Sequence, residues 1–360
     1  MDVRSPLPGE EEKAATALRR TLLFLSIAIM AVGGGGGPLV ARIYFLHGGA
    51  RLWLSSLLQT VAFPILLMPL SISYIRHRRR GDARIFSLTG RAAAACLGLG
   101  LLMALGGYMY GYGSAALPAS TSTILISSQL AFTATFAFFL VKQRFTAYSV
   151  NAVVLLVIAV VALGLQASGE RPDGVSRRRY YLGFATMLGA AVLVGLMTPL
   201  VELTRLKMRR KKISYVLVME MQLIISISSS AFSAMAMLIN KDFQAIPREA
   251  KAFGLGGTKY YLVLVASSIF WQLMNLGLLG VVFCSSALLA SIVATTLLPV
   301  GEILPVFLLH EKFNGWKAIA MVLAVWGFVS HLYGEHRENK TRNDQTTVEE
   351  LQELELPAAP

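Results

Sequence analysis

The stretch Phe139-Leu-Val-Lys-Gln-Arg-Phe145 ends one long apolar segment and begins the next, and Phe307-Leu-Leu-His-Glu-Lys-Phe313 does the same 168 positions later. A second matching pair, Pro38-Leu-Val and Pro199-Leu-Val, is separated by 161 positions. Two similar offsets along one chain indicate an internal duplication, so we expect two halves of the same design.

Outward from these motifs, apolar runs alternate with short polar connections. Ten runs are predicted to form helices, near 21–41, 52–75, 90–110, 118–141, 146–166, 180–204, 214–239, 259–280, 283–309 and 315–333, and the longest connection, about 240–258, is predicted to be a polar loop. Runs of about twenty apolar residues suffice to cross a bilayer. With 55% hydrophobic and 15% charged residues, the chain departs from the composition of soluble enzymes. The sequence predicts an all-α integral membrane protein with ten transmembrane helices.

Each half contains five predicted helices, and an odd number forces the two halves to insert with opposite orientations. This is the inverted-repeat layout of secondary transporters, whose substrate site lies near the midplane between the repeats. We predict a cytosolic N-terminal leader at 1–20, a first five-helix repeat at 21–166, a second at 180–334 and a disordered cytosolic tail at 335–360.

The distribution of the 33 Lys and Arg residues predicts the orientation. With the N-terminus inside, 21 of them flank the cytosolic ends of the predicted spans and 12 flank the other ends. The positive-inside rule therefore places both termini in the cytosol. The net charge of +13 is membrane-flank charge, and we expect no nucleic-acid partner.

Among the acidic residues, only Glu202, Glu220 and Glu302 fall inside or at the edge of predicted spans. A carboxylate near the bilayer centre costs about 3 kcal/mol, so it normally faces a cavity or a partner. Glu302 is the deepest and shares a helix face with Ser291 and Thr295. It is a candidate to bind substrate or a coupling proton, with a structural helix–helix hydrogen bond as the alternative. Glu220 is a second candidate for proton coupling.

The eighth predicted span carries Trp271, Gln272 and Asn275 on one face. An indole ring can stack on a flat ring, and side-chain amides donate and accept hydrogen bonds at once. This set suits a neutral heterocycle, although the amides could equally bridge neighbouring helices. Gln129 in the fourth span is the further candidate for substrate binding.

The run Gly33 to Gly37, followed by Pro38, is not expected to remain a regular helix. It could be an unwound segment lining the pathway or a close helix contact. No nucleophile–base pair, metal-ligand spacing or dinucleotide fingerprint occurs in the sequence. We therefore predict no catalytic residue, metal or cofactor.

Five strings of the sequence are distinctive when taken together. They are Gly-Pro-Leu-Val-Ala-Arg-Ile-Tyr-Phe at 37–45, Ser-Thr-Ser-Thr-Ile-Leu-Ile-Ser-Ser-Gln-Leu-Ala-Phe-Thr at 120–133, Phe-Phe-Leu-Val-Lys-Gln-Arg-Phe at 138–145, Trp271-Gln272, and the run Leu-Leu-Pro-Val-Gly-Glu-Ile-Leu-Pro-Val-Phe-Leu-Leu-His-Glu-Lys-Phe at 297–313. These strings resemble the plant purine permease family of the drug/metabolite transporter superfamily. The resemblance covers about 22–334. It implies ten helices in two inverted repeats and proton-coupled uptake of adenine, free-base cytokinins and other heterocycles.

The sequence thus predicts a secondary-active, proton-coupled importer of purine bases and purine derivatives at the plasma membrane. Its expected partners are a small heterocyclic substrate, protons and membrane lipids. An exporter of drugs or metabolites on the same scaffold is one alternative, and a non-transporting membrane scaffold or sensor is another. Nucleotide-sugar exchange is disfavoured, because a diphosphate requires Lys or Arg in the cavity and the predicted spans contain none.

Overall fold

The computed structural model describes residues 8–79, 88–117, 122, 125–143, 147–166, 176–208, 215–301, 315, 318–319, 321–334 and 337. Within these ranges every regular element is helical. In chain order they are α1 Pro8–Leu46, α2 Leu52–Leu58, α3 Pro64–Arg79, α4 Gly90–Ala116, α5 Gln129–Phe136 with a π-helical continuation Ala137–Val141, α6 Ala147–Gln166, α7 Arg177–Lys207, α8 Tyr215–Ile239, α9 Asp242–Ala252, α10 Gly257–Cys284, α11 Ala287–Gly301 and α12 Met321–Gly334.

Five of these helices, α1, α4, α7, α8 and α10, are long and apolar enough to cross a membrane. Shorter apolar helices occupy Pro64–Arg76, Leu125–Val141, Ala147–Ala159, Ala287–Leu298 and Met321–Gly334. Large apolar side chains such as Phe24, Met68, Leu262 and Trp326 are exposed on the outside of the bundle. A lipid-facing surface explains this exposure, since hydrocarbon does not penalise it.

Two antiparallel helix pairs form the most extensive contacts of the bundle, α1 with α10 and α4 with α7. Glycines allow both close approaches. A Cβ on Gly33 would overlap the backbone nitrogen of Met274, and one on Gly277 would lie 2.6 Å from the Cβ of Met30. Small residues let helix backbones approach closely where hydrophobic burial cannot drive association.

The glycine run of α1 is helical, so the prediction that it loses regular helical structure is wrong. α1 continues through Gly33–Gly37 and Pro38 to Leu46. The close helix contact is observed, because Gly33 faces Met274 and Gly36 faces Phe270. Gly34 and Gly35 also line the cavity described below, without unwinding. Packing against α10 compensates for the low helix propensity of glycine.

Three further predictions about secondary structure need correction. The connection 240–258 is not simply a polar loop, because it contains the helix α9 with buried Asp242 and Glu249. The second predicted span is interrupted between α2 and α3, at 59–63. A third difference lies in the predicted ninth span, whose beginning at 283 belongs to α10. Ser285 and Ser286 separate α10 from α11.

The bundle has two ends that the contacts identify directly. At one end, the guanidinium of Arg19 on α1 donates to the carbonyl of Cys284 at the end of α10. At the other, the backbone N–H of Gly254 donates to the carbonyl of His47. We call the first the leader end, because α1 follows the N-terminal leader there, and the second the cavity end, because the cavity described below lies towards it.

Candidate functional site

A cavity of about 600 Å³ opens between α1 and α4. Its walls come from the last turns of α1, the last turns of α4, the loop before α2, the first turn of α7 and the end of α11. All these segments lie towards one end of the bundle, which is therefore the cavity end. Its volume falls within the range of sites that bury a small organic ligand.

The cavity wall combines aromatic rings with hydroxyl groups. Tyr110, Tyr112 and Phe45 contribute rings, and Ser114 and Ser122 contribute hydroxyls. The Ser122 hydroxyl is buried and has no hydrogen-bond partner among the described residues. An unsatisfied buried hydroxyl is costly unless a ligand or water completes it. The wall can therefore bind a flat ring and donate to it or accept from it.

Two arginines also line the cavity, Arg42 on α1 and Arg179 on α7. The expectation that the spans contain no cation is wrong for these two positions. α1 extends to Leu46, beyond its predicted end at 41, so Arg42 belongs to the helix rather than to a loop. Charge alone therefore does not exclude a phosphate-bearing ligand from the mouth of the cavity.

Trp271 lies behind the cavity wall rather than in it. Its indole contacts Gly37 of α1, and its ring centroid is 6.0 Å from that of Tyr110 at an interplanar angle of 76°. This is an edge-to-face arrangement. Since Tyr110 lines the cavity, Trp271 supports the aromatic wall from behind and does not itself line the cavity.

Gln272 is 2% exposed and lies next to the polar stripe of α8. Ser226 donates to its Oε1 at 3.4 Å, and Gln222 donates to Ser226 at 3.1 Å. The Nε2 of Gln272 is buried with no hydrogen-bond partner among the described residues. This amide is a donor that a ligand could satisfy.

Asn275 bridges helices, as the alternative interpretation of these amides predicted. Its Nδ2 donates to the carbonyl oxygen of Gln59 at 2.9 Å, where α2 has just ended. Gln59 was missed by the sequence reasoning. Its side chain packs against Gly107 of α4, and its Nε2 is buried without a partner in the described part of the chain.

The polar stripe Gln222, Ser226, Ser229 and Ser233 on α8 faces both α2 and α10. Ser233 meets Ser56 at 3.2 Å, and Ser229 accepts from Thr60 at 3.4 Å. These hydroxyls are almost fully buried. They form a polar layer through the bundle that reaches the amides of Gln59 and Gln272. These two amides therefore lie outside the lining of the cavity.

The remaining candidates lie apart from one another. Glu220 is fully buried and accepts a hydrogen bond of 2.8 Å from the Tyr74 hydroxyl of α3. Gln129 begins α5, is buried, and its backbone oxygen lies against Gly195 of α7. Glu302 lies outside the described residues. The described lining of the cavity includes none of the six predicted site residues.

At the leader end of the bundle, polar contacts connect α7 to the ends of α10 and α11. Arg205 of α7 donates to the carbonyls of Phe283 at 2.7 Å and Ser285 at 3.4 Å. Glu202, one turn earlier, accepts from the N–H of Ala287 at 2.7 Å. One turn of α7 therefore binds the last carbonyls of α10 and the first N–H of α11.

Comparisons with known proteins agree with this architecture. A family model described as purine nucleobase transmembrane transport matches residues 21–341. The chain is 42% identical to Purine permease 3 of Arabidopsis thaliana, covering 94% of this chain and 97% of that protein. It is 37% identical to Purine permease 2 of the same plant, covering 93% and 98%.

A solved crystal structure has the same fold. The two superpose with a TM-score of 0.59 at 15% identity, over 87% of this chain and 98% of that one. The likeness covers nearly all of the helical bundle, and the family match covers the same region. The chain therefore belongs to the purine nucleobase transmembrane transport family.

Proposed function

We propose that this protein is a secondary-active, proton-coupled importer of purine bases and purine derivatives such as adenine and free-base cytokinins. The observation that carries the proposal is the family match over residues 21–341, in a bundle with a cavity of about 600 Å³ lined by rings and hydroxyls. A purine is flat, has several acceptors and at least one N–H, and fits a wall of this chemistry.

The two-repeat architecture, 21–166 and 180–334, is part of the proposal. Reciprocal packing supports it, because the helix of the first predicted span in each half packs against the helix of the third predicted span in the other half. These pairs are α1 with α10 and α7 with α4. Gly34 of α1 faces Leu297 of α11, and Gly195 of α7 faces α5 at Gln129. Gly34 and Gly195 are 161 positions apart, and Gln129 and Leu297 are 168 apart, as in the repeated motifs.

We assign roles to the predicted substrate-binding residues as follows. Gln272 lies beside the cavity and donates from Nε2 to a ring nitrogen when the substrate moves from the cavity towards α8 and α10. Trp271 holds the aromatic wall through Tyr110. Asn275 keeps the break after α2 in place, and Gln129 lies at the contact between α5 and α7. Glu302, for which the sequence remains the only basis, binds the substrate N–H or the coupling proton.

For proton coupling we propose Glu302 together with Glu220. The contact from the Tyr74 hydroxyl supports a role for Glu220, since it links the carboxylate on α8 to α3. Glu220 is fully buried, and a carboxylate inside a membrane helix normally faces a partner or serves a function.

The proposed orientation places both termini in the cytosol of a cell whose plasma membrane contains the protein. The bias of 21 to 12 basic residues supports it. With that orientation the leader end is cytosolic, and the cavity opens to the exterior. The conformation described here then accepts substrate from outside.

Uptake of labelled adenine by cells expressing the protein tests the function. We expect saturable accumulation that increases at an acidic exterior and collapses with a protonophore, with strong competition from free-base cytokinins and weaker competition from nucleosides and alkaloids. Absence of saturable uptake of any labelled base would favour a scaffold or sensor. Accumulation that falls below control cells would favour an exporter.

A further inference from the structure

Arg205 and Glu202 on α7 lie at the leader end and are not among the residues that line the cavity. The Glu202 side chain is 7% exposed and that of Arg205 is 18% exposed. They are 3.4 Å apart and form an ion pair within one helical turn. Each also makes a second contact that crosses to other helices, so that α7 is connected to α10 and α11 at the leader end.

The groups they bind are helix ends. α10 ends at Cys284 and α11 begins at Ala287, so carbonyls and N–H groups without helical partners meet at the two-residue break. The negative end of the α10 dipole faces the Arg205 guanidinium, while the positive end of α11 faces the Glu202 carboxylate. Both contacts are charge-assisted, which makes them stronger than neutral hydrogen bonds.

The packing of the bundle makes these contacts a connection between two units. α1 and α10 are joined by glycine contacts such as those of Gly33 and Gly277. α4 and α7 are joined in the same way, for example where Gly183 faces Ala116. The cavity lies between α1 of the first pair and α4 of the second. Arg205 crosses from the second pair to the first, at the opposite end of the bundle.

We propose that Arg205 and Glu202 form the inner gate of the transporter, and that their contacts to the α10–α11 break must open for substrate to leave towards the leader end. This inference rests on the proposed transport function, because a carrier with a cavity at one end must open the other end to release its substrate. Both are positioning residues: they set which end of the cavity is open.

Two cysteine positions report the two ends. Native Cys284 is 2% exposed and belongs to the gate, where its carbonyl accepts from Arg19. Ser114→Cys places a thiol in the cavity wall. The other native cysteine, Cys96, is fully buried and is replaced by Ala. A membrane-impermeant thiol reagent is applied to membrane fragments, where both faces are accessible. Ser114→Cys is measured with Cys284 also replaced by Ala.

The perturbing variant is Arg205→Met, which removes the cation and keeps a long side chain. We expect the modification rate of Cys284 to rise about tenfold and that of Ser114→Cys to fall about tenfold, because weakening one gate shifts the population towards the opposite opening. Arg205→Lys retains a cation and should restore both rates most of the way. Lys207→Met removes an exposed cation on the same helix and should change neither rate.

The reciprocal change is what distinguishes a gate from a structural contact. Equal rates in Arg205→Met and in the parent protein overturn the proposal, and so does a rise at both thiols, which reports loosened packing. Labelling needs no transported substrate. A reciprocal shift in a protein that transports no purine would therefore refute the proposed function and leave the gate standing.

Discussion

Replacing Gln272 by Met separates a substrate contact from a structural one. Methionine preserves length and approximate volume but donates no hydrogen bond. The substitution removes few contacts of the folded protein. The Oε1 of Gln272 accepts one long hydrogen bond of 3.4 Å, and its Nε2 has no partner among the described residues. A buried donor without a partner costs about 1–3 kcal/mol, so removing it should leave the thermal stability of the substrate-free protein unchanged or raise it.

Binding should respond in the opposite direction. If Nε2 donates to a ring nitrogen of the base, its loss leaves that nitrogen unpaired and costs about 1–3 kcal/mol, or about 5- to 150-fold in affinity. We expect the KM for adenine uptake to rise within that range. Gln222→Met is the matched control, since its amide already donates to Ser226 at 3.1 Å; it should lower the melting temperature and leave KM unchanged. A KM within twofold of the parent value for Gln272→Met would refute the assigned role.

Three other predictions concern Glu302, the two termini and the glycine contacts of α1. The Glu302→Gln variant cannot titrate at this position. If Glu302 carries the coupling proton, we expect the variant to bind substrate normally and to lose the accumulation driven by external acid. Wild-type affinity and wild-type pH dependence in the variant would show that Glu302 is structural. Tags at both termini should be accessible to antibody only after permeabilisation. Labelling of either tag in intact cells would contradict the proposed orientation. Gly33→Ala should reduce folded yield, because its Cβ overlaps the backbone of Met274, whereas Gly98→Ala, which meets no neighbour, should be tolerated; equal yields would contradict the glycine-packing account.

Periodicity and composition were enough to predict that the chain is helical and where its long apolar helices run. Those properties depend on local sequence, as does the polar stripe of α8. The course of α1 through Gly33–Gly37 was not predictable, because helix propensity describes a segment alone. Here the residues that weaken an isolated helix are the ones that admit α10.

The predicted site residues remain predictions, and the structure adds which of their polar groups already have partners. The amides of Gln272 and Asn275 were chosen for their hydrogen-bonding capacity, and only the structure shows that Asn275 uses its Nδ2 on the carbonyl of Gln59 while Nε2 of Gln272 stays unpaired. Gln59 itself gave no signal, since the break after α2 lies inside an apolar run. A sequence pattern identifies side chains able to bind; which of them are already occupied depends on their three-dimensional neighbours.

The contrast between the two kinds of helix contact explains where motion can occur. Glycine contacts such as that of Gly33 bring helix backbones together over many atoms, and such close packing has no equally good alternative arrangement. The contacts of Arg205 and Glu202 comprise a few hydrogen bonds to helix ends, which water can replace when that end opens. Reversible opening therefore belongs to the polar end of α7, and the glycine-packed pairs supply the stiffness that transmits it to the cavity between α1 and α4.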